Sequence, residues 1–128
     1  NDNFILFSAT EEEISKKVRT AVTDPEKVRR NDPGHPDICN VFTYHQKFNP
    51  DEIDEIRKGC ESGILGCVDC KNNCAKKLAS FFEPIRGKRT YYENNIKEVE
   101  DILDTGTRKA QKIASETMED VHNAMKMG

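Results

Sequence analysis

Cys60-Glu-Ser-Gly-Ile-Leu-Gly-Cys67-Val-Asp-Cys70-Lys-Asn-Asn-Cys74 carries four of the chain's five cysteines within fifteen residues, and the fifth, Cys39, precedes them by about twenty. Thiols kept for packing have no reason to crowd. Thiolates crowd when they share a soft cation, and four-cysteine sites hold zinc or an iron–sulfur cluster. Cys67 and Cys70 form a Cys-x-x-Cys pair, and Cys60 and Cys39 are the natural completing ligands. Disulfides fit less well, because five is an odd number and no stretch reads as a signal peptide. A thioredoxin-like redox pair belongs beside a βαβ pattern, which the sequence lacks. Free core cysteines would explain one or two positions, not this spacing. The stretch therefore reads as a Cys₄ metal hub around which helices are arranged.

Working outward, Gly66 precedes a helix in which Cys67, Cys70 and Cys74 fall at i, i+3 and i+7, on one face. Leu78, Phe81, Phe82 and Ile85 continue an apolar face, and Pro84 is expected to kink or break the helix near Ser80. Upstream, Asn49-Pro50-Asp51-Glu52 is a helix start with Ile53, Ile56 and Cys60 on its buried stripe, ended by Gly59 and Gly63. Asp37 can cap a helix with Cys39 in its first turn and Val41, Phe42, His45 and Phe48 behind it. Residues 25–37 carry Pro25, Pro33, Gly34 and Pro36 and read as a loop whose length invites a functional use. Before it, Thr10 and Glu13, or Ser8 and Glu11, have capping-box spacing for a helix with Ile14, Val18, Ala21 and Val22 on one face. Phe4-Ile-Leu-Phe7 is too short for a helix and reads as a strand or buried linker.

Downstream, Asn95 can cap a short helix with Ile96, Val99, Ile102 and Leu103. Asp104-Thr-Gly106 punctuates it. A last helix shows Ala110, Ile113, Ala114, Thr117, Val121, Ala124 and Met125 on one stripe, as ordinary core packing would require. The fold class is all-α, with five to seven helices organised around the Cys₄ centre.

Length bounds this to one domain's worth of chain, 128 residues with 35% apolar and 34% charged content. No apolar run approaches membrane-spanning length. The net charge of −3 argues against a protein that coats nucleic acid generally. Its distribution is uneven: Lys71 to Tyr92 holds six basic residues (Lys71, Lys76, Lys77, Arg86, Lys88, Arg89) against one acid, Glu83. Such a local basic face suggests a directed contact with a polyanion, with Tyr91 and Tyr92 available to stack on bases. Composition alone favours a solvated helix face with two packing tyrosines. His35, His45 and His122 are isolated and read as surface or satisfied histidines. Gly34 and Gly66 read as turn glycines.

Several stretches in order resemble the carboxy-terminal part of bacterial tryptophanyl-tRNA synthetases. Phe4-Ile-Leu-Phe-Ser-Ala-Thr-Glu-Glu-Glu-Ile14 is similar to the segment after the family's Lys-Met-Ser-Lys-Ser loop. Lys16-Lys-Val-Arg-Thr-Ala-Val-Thr-Asp24 is similar to its lysine-rich helix. Asp32-Pro-Gly-His-Pro-Asp-Ile-Cys-Asn40, Phe81-Phe-Glu-Pro-Ile-Arg86 and Lys109-Ala-Gln-Lys-Ile-Ala114 extend the resemblance over nearly the whole chain. A subset of these enzymes carries a [4Fe–4S] cluster on one distant cysteine followed by Cys-x₆-Cys-x-x-Cys. Cys39, Cys60, Cys67 and Cys70 reproduce that order, with a slightly shorter first gap. Cys74 is extra, a bystander or a replacement for Cys39.

The resemblance implies residues 1–24 as the segment following the catalytic signature loop and residues 25–128 as a helical anticodon-binding domain. It implies a [4Fe–4S] cofactor, zinc being the alternative, near a surface that reads the tryptophan anticodon stem-loop of tRNA through some of the six basic residues. It also implies a cytoplasmic location, with no DNA or membrane partner. The family's His-Ile-Gly-His-type and Lys-Met-Ser-Lys-Ser signatures are missing here. ATP and tryptophan chemistry thus belong to the full-length class I tryptophan–tRNA ligase, and no residue of this chain is expected to be catalytic; the 128-residue chain alone is expected to be inactive. Full-length relatives dimerise largely through the catalytic half, so this part is expected to be mainly monomeric. The rival reading is a free-standing zinc- or Fe–S-binding interaction module.

Overall fold

A computed structural model describes residues 4–126. They form five α-helices and two 3₁₀ turns, with no strand among the described residues. The helices are α1 (Glu11–Thr20), α2 (Asn40–Phe48), α3 (Ile53–Glu61), α4 (Cys67–Asn94) and α5 (Ile96–Met125). Phe4-Ile-Leu-Phe7 forms no strand and leads into α1 by turns.

Each start near the hub has a chemical cause. Thr10 closes a capping box on α1: its hydroxyl accepts from the Glu13 amide at 3.2 Å, and Glu13 accepts from the Thr10 amide at 2.8 Å. Pro36 and Pro50 each open a 3₁₀ turn, at Pro36–Ile38 before α2 and Pro50–Glu52 before α3, because proline suits a first helical position that needs no N–H donor. Cys39 sits as the N-cap of α2 rather than inside its first turn. Gly63 ends α3 with φ of +75°, and a β-carbon there would run into the Asn31 carbonyl oxygen, so glycine is required twice over.

The chain divides into two compact units, Asn1–Gly87 and Lys88–Gly128. In the first, Ile14 and Val18 of α1, Val41 of α2, and Cys74, Ala75, Leu78, Ala79 and Phe82 of α4 form the buried core. Aromatic edges seal it: Phe82 meets Phe7 at 5.2 Å and Phe48 at 5.9 Å, and Phe48 meets Phe81 at 5.0 Å. Each such pair contributes on the order of 1 kcal/mol beyond the area it buries.

Two expected helix ends do not form. Helix α4 runs through Pro84 without ending near Ser80. Arg86, two residues further on, donates to the Ala79 carbonyl at 3.0 Å and the Ala9 carbonyl at 3.3 Å, and Phe82 is buried just before the proline, so packing on both sides holds the helix. Asp104-Thr-Gly106 does not punctuate either; α5 is continuous over Ile96–Met125. One interior glycine costs only about 1 kcal/mol relative to alanine, and no proline follows to stop the turn. The second unit is built from the end of α4 and α5, and the apolar stripe of α5, including Ile102, Ile113 and Val121, stays exposed rather than packing into a core.

Candidate metal centre

Cys39, Cys60, Cys67 and Cys70 line one small cavity, together with Thr23, Asp24, Lys27 and Leu65. They arrive from three places: the N-cap of α2 (Cys39), the last turn of α3 (Cys60), and the first turn of α4 (Cys67 and Cys70). Cys67 and Cys70 share a face because they are three residues apart on α4. Cys74, one turn further, points elsewhere: it is fully buried among the core side chains and does not line the cavity.

The backbone around the cavity is held by one carbonyl. Cys60 O accepts from Gly34 N at 2.9 Å, from Gly63 N at 3.1 Å and from Lys27 Nζ at 3.5 Å. Lys27 is buried and also donates to Leu65 O at 3.2 Å, so its ammonium ties the α3–α4 connection to the 25–37 loop. Asp24 anchors the start of that loop, accepting from Glu26 N at 2.8 Å, His35 N at 2.7 Å and His35 Nδ1 at 2.9 Å. Burial works against its carboxylate, but those amides and the ring outweigh it and hold the carboxyl below the usual range. Arg57 on α3 clamps Asp37 at 2.7 Å, two residues before Cys39.

The thiols are costly to ionise without a cation. Burial, then the neighbouring thiols, pushes Cys70 up to about 12. Burial likewise raises Cys60, with Lys27 pulling the other way. Cys74 is pushed up to about 12 by burial. A bound metal deprotonates a coordinating thiol outright, so the donor set suits a cation that neutralises it. Among the described residues, no three cysteine sulfurs lie within 4.8 Å of one another; the set that does meet that spacing is Asp24, Glu26 and His35.

Behind Cys70 lies one of the three histidines that the sequence reads as surface or satisfied, and it is satisfied. His45 is fully buried, with Nε2 at 3.2 Å from the Cys70 carbonyl and 3.5 Å from its sulfur. Its Nδ1 faces Asn49 Nδ2 at 3.2 Å, and Asn49 Nδ2 donates to Glu52 at 3.0 Å. Glu52 also accepts from Asn73 at 2.7 Å and pairs with Lys77 at 2.6 Å. Burial lowers the His45 pKa, so the ring is neutral at pH 7. The i, i+4 spacing of His45 and Asn49 on and after α2 was the available signal.

The six basic residues separate by partner. Lys71 donates to Arg19 O at 3.0 Å, Lys77 pairs with Glu52, Arg86 holds two backbone carbonyls, and Arg89 pairs with Glu93 at 2.7 Å. Lys76 and Lys88 are exposed, with no ion pair among the described residues. Tyr91 and Tyr92 meet edge to face at 5.3 Å, and the Tyr91 hydroxyl donates to Glu98 at 2.7 Å. A separate groove beside Cys67 is lined by Lys27, Arg29, Arg30 and Asp69; its arginines lie in the 25–37 loop, outside the stretch whose charge excess drew attention.

Residues 1–83 match the family described as tRNA synthetases class I (W and Y). The chain belongs to that family. Its relatives within it are tryptophan enzymes: the tryptophan–tRNA ligase of Aquifex aeolicus is 46% identical over 127 residues, 98% of this chain and 32% of that enzyme. The tryptophan–tRNA ligase of Thermotoga maritima is 35% identical over 98% of this chain and 39% of that enzyme. Among solved structures, tryptophanyl-tRNA synthetase from Campylobacter jejuni, complexed with ADP and tryptophane, superposes with a TM-score of 0.84 at 25% identity, covering 98% of this chain and 39% of that one. The chain thus spans about a third of the length of the curated relatives it matches. No helix among the described residues is long and apolar enough to cross a membrane.

Proposed function

We propose that this chain is the tRNA-recognition part of a tryptophan–tRNA ligase and that Cys39, Cys60, Cys67 and Cys70 hold a structural [4Fe–4S] cluster. The observation that carries the cluster is the convergence of those four thiols, from three helices, on one cavity that leaves Cys74 outside. A cluster is read here in preference to zinc because the order of the four cysteines resembles that of the cluster-bearing subset of these enzymes, and a cluster distributes its cysteines over separate irons. When bound, it supplies a rigid four-point cross-link. The chain's own residues do the rest: Gly34, Lys27 and Gly63 fix the Cys60 backbone, and the Arg57–Asp37 pair fixes the approach to Cys39.

On this reading residues 1–24 adjoin the catalytic half and residues 25–128 read the anticodon stem-loop of tRNA. Activation of tryptophan with ATP belongs to the whole enzyme. The cluster stiffens the loops and helix ends that meet the RNA, and no electron transfer is required of it. Iron and sulfide analysis after anaerobic purification, with an ultraviolet–visible spectrum, tests the centre. Iron and sulfide with broad brown absorption support it. A colourless protein with one zinc would favour the zinc-stabilised interaction module instead.

A further inference from the structure

The proton on the His45 ring can be located from its neighbours. Glu52 is held ionised, its carboxyl lowered to about 2 by the Asn49 and Lys77 side chains and then Asn73. A carboxylate only accepts, so the Asn49 atom that faces it at 3.0 Å is the amide nitrogen. That same nitrogen faces His45 Nδ1 at 3.2 Å. It has hydrogens to give and no lone pair to offer, so Nδ1 accepts and the proton of the neutral ring sits on Nε2. Glu52 therefore dictates, through Asn49, that His45 presents an N–H to Cys70.

That N–H has two acceptors on one residue, the Cys70 carbonyl at 3.2 Å and the Cys70 sulfur at 3.5 Å. A thiol is a weak acceptor, and the carbonyl takes the larger share while Cys70 is protonated. A ligand thiolate carries charge, and a hydrogen bond to an ionised acceptor is roughly twice as strong as a neutral one. The balance then moves toward the sulfur without any movement of the ring's anchor.

We propose that His45, locked as the Nε2–H tautomer by the Asn49–Glu52 pair, is a positioning residue for the metal centre that donates a hydrogen bond to the Cys70 sulfur, retains the cluster and raises its reduction potential. The proposal rests on the [4Fe–4S] reading. Its physical basis is that a donor at a ligating sulfur withdraws electron density and stabilises the more negative, reduced cluster more than the oxidised one. Partners that orient ligands in this way typically change metal retention by about 10- to 100-fold when removed. A histidine that only filled core volume would do neither.

The test uses the whole chain purified anaerobically. In protein grown with ¹⁵N-histidine and reduced with dithionite, pulsed electron paramagnetic resonance is expected to show a histidine nitrogen coupled to the cluster. His45→Gln, grown identically, is expected to lose that coupling, because its donor is an unlabelled amide. His45→Leu, which removes the donor, is expected to shift the midpoint potential to more negative values and release iron to a chelator about tenfold faster. His45→Gln, which can place an amide N–H near the same point, is expected to stay close to wild type in both. The absence of histidine coupling in wild type, or a Leu variant with wild-type potential and iron release, would overturn the proposal. Should the Leu variant not fold, the isotope measurement on wild type decides alone. Wild-type protein without iron and sulfide would instead sink the cluster reading itself, before any variant is made.

Discussion

The Cys60 sulfur occupies the space that a β-carbon would need at Gly34: the two would stand 2.6 Å apart. The Gly34 amide also donates to the Cys60 carbonyl at 2.9 Å, so the loop lies flat against the residue that carries the sulfur. On the other side, the Lys27 stem is 3.1 Å from the same point. Gly34 needs no unusual backbone angle; it is there because the loop approaches the Cys60 side chain closely.

Gly34→Ala is therefore expected to displace Cys60. A sulfur free to rotate would yield cheaply, but one bound to a metal cannot. Overpacking of this kind costs about 1–3 kcal/mol. The expected result is a lower thermal midpoint together with reduced iron content. Wild-type iron content in a folded Gly34→Ala protein would show that Cys60 is not held by a metal.

The cysteines are expected to divide by where they point. Replacing Cys39, Cys60, Cys67 or Cys70 with alanine is expected to remove iron and lower stability, since a site that loses its cation forfeits the folding free energy that the cation supplied. Cys74→Ala is expected to keep its iron. Its side chain is packed among Ile14, Val41 and Leu78, so it should cost on the order of 1 kcal/mol as a small core truncation. Iron analysis beside urea unfolding separates the two effects. Loss of iron from Cys74→Ala with retention in Cys39→Ala would reassign the fourth ligand.

How far the sequence disclosed this site depends on the kind of information involved. The Cys-x-x-Cys pair, the caps and the helix starts are local, and each is encoded within a few residues, as with Thr10 and Glu13. The partnership of Gly34 with Cys60 and of His45 with Cys70 joins positions about 25 residues apart in sequence. The local sequence marks Gly34 only as a turn residue and His45 only as a surface or satisfied histidine, without naming its partner, because nothing local marks a long-range contact. Breakers misled in the opposite sense. Pro84 and Gly106 carry local penalties of a few kcal/mol at most, and packing around Phe82 and Arg86 outweighs the first. The α5 stripe has helical period, but periodicity does not say whether anything covers it.

Acid should weaken the His45 support in a defined window. The Glu52 carboxyl is lowered from 4.5 to about 2 by the Asn49, Lys77 and Asn73 side chains. A carboxylate lowered on folding stabilises fully above its unfolded pKa and loses that contribution as pH falls through its folded one. Glu52 thus contributes fully at neutral pH, progressively less below about 4.5, and nothing below about 2. Glu52→Gln is expected to be less stable than wild type at pH 7, with the gap in urea midpoint narrowing as the pH falls through that window. A gap that stays constant with pH would mean the Glu52 charge contributes nothing to folding.

RNA binding is where the six basic residues must be separated. Four of them already hold protein groups: Arg86 has two backbone carbonyls, Lys71 has one, Lys77 pairs with Glu52 and Arg89 with Glu93. A side chain that spans to an internal partner must give up that contact to reach a phosphate. Lys76 and Lys88 have no such cost, and neither does Arg29 in the groove beside Cys67, which is exposed. Phosphate contacts are therefore expected from Lys76, Lys88 and Arg29 before Arg86. Neutralising phosphates releases counterions, so affinity for an anticodon stem-loop should fall steeply with salt. Each contact removed should lower the salt slope by about one unit without changing sequence preference. Fluorescent stem-loops titrated at several salt concentrations against wild type, Lys76→Ala, Lys88→Ala, Arg29→Ala and Arg86→Ala would measure this. Arg86→Ala is expected to lose stability, because it strips donors from the Ala9 and Ala79 carbonyls, while its slope stays near wild type. Preference for the tryptophan anticodon over altered loops is expected in every variant that folds. Equal binding of all loops, with slopes unmoved by any of the charge removals, would leave these lysines and arginines as a solvated surface and remove RNA recognition from this part of the enzyme.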